Sequence, residues 1–115
     1  MAETKVPVKR YQLMKRRYPE LMQAVETLGA VTANAGPLDE KCKHLVQLAA
    51  AAALRSEGAV HSHARRALQA GATAEEVHHA LILLTSTIGF PTVVAAISWV
   101  DDIIEKEAGR RAEKN

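Results

Sequence analysis

Most of the chemistry this sequence offers lies in five histidines, His44, His61, His63, His78 and His79. On a helix His61 and His63 point about 200° apart, and the neighbours His78 and His79 also diverge. Neither pair can share one metal ion, and the i,i+4 spacing of a helical zinc site is missing from both, so no metal centre is expected. His63 stands out. Its neighbours at i−4, i−3, i+4 and i+7 are Ala59, Val60, Ala67 and Ala70, a packed face of small side chains. An imidazole placed there has a tuned proton affinity and can transfer protons near neutral pH. The same placement also suits a core or interface histidine. His61 shares the other face with Arg65 and is expected in solvent. His44 precedes an alanine run on a helix that must pack near His63. The two rings form a two-imidazole site, or else His44 is an ordinary surface histidine.

Other side chains near His63 extend the list. Ser56 and Glu57 occupy the turn just before its helix, where Glu57 is either a cap or a carboxylate that orients a base. Arg65 and Arg66 have the fork geometry that holds an anionic substrate, although solvated surface arginines fit the same positions. Cys42 lies between Lys41 and Lys43, and nearby cations lower the pKa of a thiol. It also falls on a stripe with Leu38, Leu45 and Val46, which suits a buried structural cysteine.

These groups need a helical frame. Residues 8–17 read as a short helix. A second runs from about Tyr18 to Ala33, with Pro19 in its first turn and Leu21, Val25, Leu28 and Val31 on one stripe. Asn34-Ala35-Gly36-Pro37 is a stop signal. A third helix starts near Leu38 and carries the run Ala49 to Ala53, whose small side chains allow close approach of another backbone. Ser56-Glu57-Gly58 ends it. A fourth runs from about Ala59 to Ala70 and stops at Gly71. Thr73 with Glu76 forms a capping box that opens a fifth, with Val77, Ala80, Leu81, Leu84 and Ile88 on one face. Pro91 opens a sixth, and residues 105–115 form a charged tail expected to fray. The expected organisation is a single all-α domain over residues 1–115.

Composition sets the bounds. The chain has 115 residues, 48% of them apolar but only 3% aromatic, so its core is built from Ala, Leu, Val and Ile. Fifteen basic against 13 acidic residues give a net charge of +2, which does not suggest a nucleic-acid partner. One cysteine excludes a disulfide framework and an intrachain dithiol couple. Lys9, Arg10, Lys15, Arg16 and Arg17 interleave with Tyr11, Leu13 and Met14, as on a solvated helix face. The start of the sequence has no apolar core of a secretory signal, so a cytoplasmic location is expected. The stretch from Ala80 to Val100 lacks charge, but Gly89-Phe90-Pro91 interrupts it and hydroxyl residues dilute it. Two buried helices are expected there rather than a membrane span. So small a domain has trouble hiding that much apolar helix alone, and an oligomer would cover the remainder.

Three stretches carry a family resemblance. They are Leu38-Asp39-Glu40-Lys41-Cys42-Lys43-His44-Leu45, the segment from Ser56 through His63 to Leu68, and Gly71-Ala72-Thr73-Ala74-Glu75-Glu76-Val77. Over about residues 37–105 the chain resembles the carboxymuconolactone decarboxylase and alkylhydroperoxidase D-like family. The resemblance implies an all-α bundle of about six helices whose subunits associate into homotrimers or homohexamers, with no cofactor. The peroxidase branch of that family uses Cys-x-x-Cys-x-x-x-His and an upstream Glu. Here Ser56 and Ala59 stand at the cysteine positions, His63 at the histidine and His44 at the upstream acid. The decarboxylase branch lacks the cysteines and keeps a histidine at the position of His63. The resemblance therefore implies a lyase-like enzyme acting on a small anionic lactone. On that reading catalysis is expected to fall to His63, Glu57 and His44, and Arg65 and Arg66 are expected to bind the substrate. An antioxidant peroxidase using Cys42 and a non-catalytic oligomeric binding or scaffold protein are the alternatives.

Overall fold

The computed structural model describes residues 5–114, with side chains from 9 to 113. Both ends of the expected 1–115 domain, Met1–Thr4 and Asn115, lie outside the described residues. Among those described there are seven helical segments and no strand: α1 (Lys5–Arg17), α2 (Pro19–Ala33), α3 (Glu40–Ala53), α4 (Glu57–Gln69), α5 (Ala74–Ile82), α6 (Thr85–Ile88) and α7 (Phe90–Lys114). The chain divides into two compact units, Met1–Pro37 and Leu38–Asn115, where the sequence reading has one.

In the first unit α1 packs on α2. Pro19 sits in the first turn of α2, where its missing N–H costs nothing. Lys15 pairs with Glu26 at 3.2 Å and lies 5.1 Å over the ring of Tyr11. The expected stripe Leu21, Val25, Leu28 and Val31 is present on α2, but all four side chains are exposed and only Met22 is buried.

The second unit is centred on α3 and α4. Its core contains Leu48, Ala51 and Ala52 of α3 against Val60, Ala64 and Ala67 of α4. Alanines at the contact keep the backbones close, as the alanine run predicts. A three-residue connection joins the helices, so they pack as an antiparallel hairpin. Asp39 caps α3, its Oδ1 accepting the Cys42 N–H at 2.8 Å, so the helix begins two residues later than the expected Leu38. At the other end the Arg55 N–H donates to Ala52 O and the Ser56 N–H to Ala51 O, both at 3.0 Å. This is a Schellman closure with Arg55 at φ 55°, a left-handed position that usually takes glycine. The sequence offered Gly58 as the breaker, but Gly58 lies inside α4. That helix starts at Glu57, behind Ser56 in the cap position, two residues earlier than expected. Its C-terminus follows the sequence reading: with Gly71 at φ 104°, the Gly71 N–H donates to Leu68 O and the Ala72 N–H to Ala67 O, the same closure.

The Thr73 capping box is present in both halves. Thr73 N–H donates to Glu76 Oε1 at 2.9 Å, and Glu76 N–H donates to Thr73 Oγ1 at 3.0 Å. The expected fifth helix is not continuous to Ile88. It breaks at Leu83-Leu84 into α5 and the single turn α6, where the Thr85 hydroxyl donates to Ile82 O at 2.7 Å. A local hydroxyl–carbonyl bond of this kind competes with the helical ladder. No helix of the described residues is long and apolar enough to cross a membrane.

The charged tail does not fray: α7 is helical through Lys114. Glu107 is buried and pairs with Arg110 at 2.8 Å, and Arg111 Nη2 donates to Leu68 O at 3.2 Å. Composition reads this segment as solvated. The two arginines make it an anchored helix end: Arg110 pairs the buried Glu107, and Arg111 adds a second donor to a carbonyl that already accepts the Gly71 N–H.

Candidate active site

The α3–α4 hairpin brings His44 and His63 together. Their Nδ1 atoms are 3.3 Å apart, and the ring centroids lie 5.6 Å apart at an interplanar angle of 31°. The first of the two sequence readings, a two-imidazole arrangement, is the one the fold adopts. Both rings are half-buried. One turn before His44, Glu40 places Oε2 3.6 Å from His44 Nε2. Lys43 Nζ donates to the other Glu40 oxygen at 2.9 Å and holds that carboxyl below its usual range.

Electrostatics at the pair favour neutral rings. Burial, the positive field of Arg66 and the neighbouring His44 push His63 down from 6.5 to about 4. Burial first and Arg66 second also lower His44, with Lys43 adding to the effect and Glu40 opposing it. Both imidazoles are therefore uncharged at neutral pH. Of the two candidate arginines, Arg66, three residues beyond His63 on α4, is the one whose charge is felt by both rings. It is exposed, and Arg65 is half-buried.

The depressed affinity of His63 has a consequence for stability. A ring that falls from 6.5 to about 4 on folding takes up a proton more readily in the unfolded chain. Its contribution is nil above pH 6.5. Stability is lost as the pH falls through the window from 6.5 to 4, and the loss is complete below it. After a discount for solvent screening of a half-buried ring, the loss is about 1–2 kcal/mol. Denaturant titrations at about pH 7.5 and about pH 4.5 check this. His63→Gln should lose less stability than the wild type across that interval, and equal losses in both proteins would contradict the assignment.

The remaining predicted residues lie elsewhere. Glu57 is exposed in the first turn of α4 and approaches His61, Oε2 to Nε2, at 3.7 Å. His61 is not in solvent as expected, for its Nε2 is shielded from water and has no hydrogen-bond partner. The Glu57–His61 pair thus forms a second constellation, on a different face of α4 from His63. Cys42 is half-buried and faces an apolar groove of about 400 Å³ shared with Leu45, Val46, Ala80, Leu83 and His79. Two features escape the sequence reading. His78 Nε2 lies 2.6 Å from Asp101 Oδ1, joining α5 to α7 across 23 residues with no local signal. Glu40 reads as a helix-dipole residue, yet its i,i+4 spacing to His44 was the available clue. Among the described residues no three His, Cys, Asp or Glu side chains converge closely enough to hold a metal ion.

The α3–α4 hairpin thus presents two paired imidazoles, groups able to exchange a proton, within the field of an arginine. The sequence profile of the Carboxymuconolactone decarboxylase family matches residues 19–102, and the chain belongs to that family. The match takes in α2 as well as the stretch that carries the resemblance. An uncharacterized protein of Methanocaldococcus jannaschii is 30% identical over 98 residues, covering 85% of this chain and 92% of its own. An uncharacterized protein of Haemophilus influenzae is 38% identical over 52 residues, 45% of this chain and 46% of its own. Among solved structures, apo-lpg0406, a carboxymuconolactone decarboxylase family protein from Legionella pneumophila, superposes with a TM-score of 0.81 at 26% identity. It covers 91% of this chain and 93% of that one.

Proposed function

We propose that this chain is a cofactor-free acid–base enzyme that decarboxylates a small, carboxylated, unsaturated lactone. The observation that carries the reading is the neutral His44–His63 pair, 3.3 Å between nitrogens, within the field of Arg66. Arg66 attracts the substrate carboxylate, and Arg65 beside it in sequence supplies further positive charge. Burial depresses the imidazoles most, and binding an anion offsets the share that comes from Arg66, so the pair takes up one proton from the bulk solvent as substrate enters. The C–C bond to the carboxylate then breaks, CO₂ leaves, and the electron pair delocalises into the lactone carbonyl. His63, as imidazolium, delivers its proton to the carbanionic carbon and returns to neutral. One carboxylate and one proton become one C–H bond and one CO₂. Glu57, 3.7 Å from His61 on a different face of α4, takes no step in this sequence.

Apolar surface favours self-association. The α2 stripe and the groove beside Cys42 are faces that a second copy would cover. We place the working form as a homotrimer or homohexamer, and sedimentation of the purified chain reads the copy number. Catalysis is tested by following CO₂ release from a carboxylated unsaturated lactone, with no metal or cofactor added. First-order release that scales with protein is expected. Release no faster than in buffer, across a set of such lactones, would overturn the reading.

A further inference from the structure

The Glu40–His44–His63 line also determines where the protons of the resting pair lie. A neutral imidazole carries one N–H, and the 3.3 Å contact between the two Nδ1 atoms has room for one hydrogen. Two arrangements satisfy it. If His44 donates, its Nε2 is a lone pair directed at the Glu40 carboxylate 3.6 Å away, and like charge density meets like. If His63 donates, His44 turns Nε2–H toward that carboxylate, and the contact is attractive. Lys43 keeps Glu40 ionised through its 2.9 Å bond, so the bias persists at neutral pH. Arg66 lowers the proton affinity of both rings and so keeps each at one N–H. We infer that Glu40 is a positioning residue that fixes the tautomers of the pair: His44 is the Nε2–H form, its Nδ1 accepts from His63 Nδ1–H, and His63 offers an unprotonated Nε2 as the basic atom of the site.

This assignment deepens the acid–base reading and rests on it for its catalytic meaning. It names the atom that takes the proton on substrate entry and returns it to carbon.

The test reads nitrogen protonation directly, with no substrate. Ring ¹⁵N signals of the uniformly labelled full chain near pH 7 should show His44 Nδ1 and His63 Nε2 unprotonated, and His44 Nε2 and His63 Nδ1 protonated. The reverse pattern at either ring would overturn the proposal, and so would a doubly protonated ring. In Glu40→Ala the pattern should collapse toward a mixture of tautomers, with kcat down about 10-fold and KM little changed. An unshifted pattern in that variant removes Glu40 from the role. Because the spectra need no turnover, wrong tautomers leave the decarboxylation reading standing. A silent decarboxylation assay likewise leaves the tautomers standing.

Discussion

On the proposed function, replacing His63 with Gln should lower kcat for lactone decarboxylation by about 10²–10⁴-fold, the range that one positioned general acid or base contributes. The amide of Gln fills much of the imidazole volume and can still donate to His44 Nδ1, so the α3–α4 contact is preserved. What it lacks is a group that gains and releases a proton near neutral pH. His44 cannot substitute, because burial and then Arg66 lower its own affinity. The loss should fall on kcat with little change in KM, since the substrate carboxylate is drawn by Arg66 rather than by the ring. Thermal melts near pH 7 should stay close to those of the wild type and show that the defect is chemical. Steady-state rates within ten-fold of wild type would remove His63 from the role of proton donor.

How far the site could be foreseen depends on the range of each interaction. Signals within one turn were legible: the Thr73–Glu76 box, Gly71 as a helix stop, Pro19 at a helix start. Each depends on backbone geometry set within about one or two turns of chain. The placement of His63 on a small-residue face was legible too, because helical periodicity fixes it. Whether His44 meets that face was not, since two helices 19 residues apart in register can rotate freely on paper. Only packing of Leu48, Ala52, Val60 and Ala64 sets the rotation. Local rules failed where tertiary contacts overrode them. Arg55 takes the left-handed position although Gly58 stood nearby, and it gains a 2.8 Å bond from its guanidinium to Thr92 Oγ1. The charged tail is helical because Glu107 and Arg111 find partners that composition does not reveal.

That dependence on packing gives the largest expected effect on stability. Leu48 is fully buried and lies one turn beyond His44 on the same face of α3. Truncation to Ala removes three carbons from the contact with α4 and leaves a cavity that neighbouring alanines cannot fill, for they have no flexible atoms to move into it. Leu48→Ala should cost about 2–5 kcal/mol. A small domain holds only about 5–15 kcal/mol in total, so the variant has lost a large share of its stability. Gln47, exposed on the same helix, provides the comparison: Gln47→Ala should stay within about 0.5 kcal/mol of wild type. Urea titrations of both at equal protein concentration measure the difference and hold any contribution from self-association constant. The effect should also reach the site. With Leu48 gone, α3 is free to turn about its axis, and the nitrogen contact that pairs His44 with His63 loosens before the hairpin unfolds. Its sign in ring ¹⁵N spectra would be a loss of the ordered tautomers at urea concentrations where the helical signal is still native. If Leu48→Ala costs less than about 1 kcal/mol, the rotation of α3 is held by something other than this core.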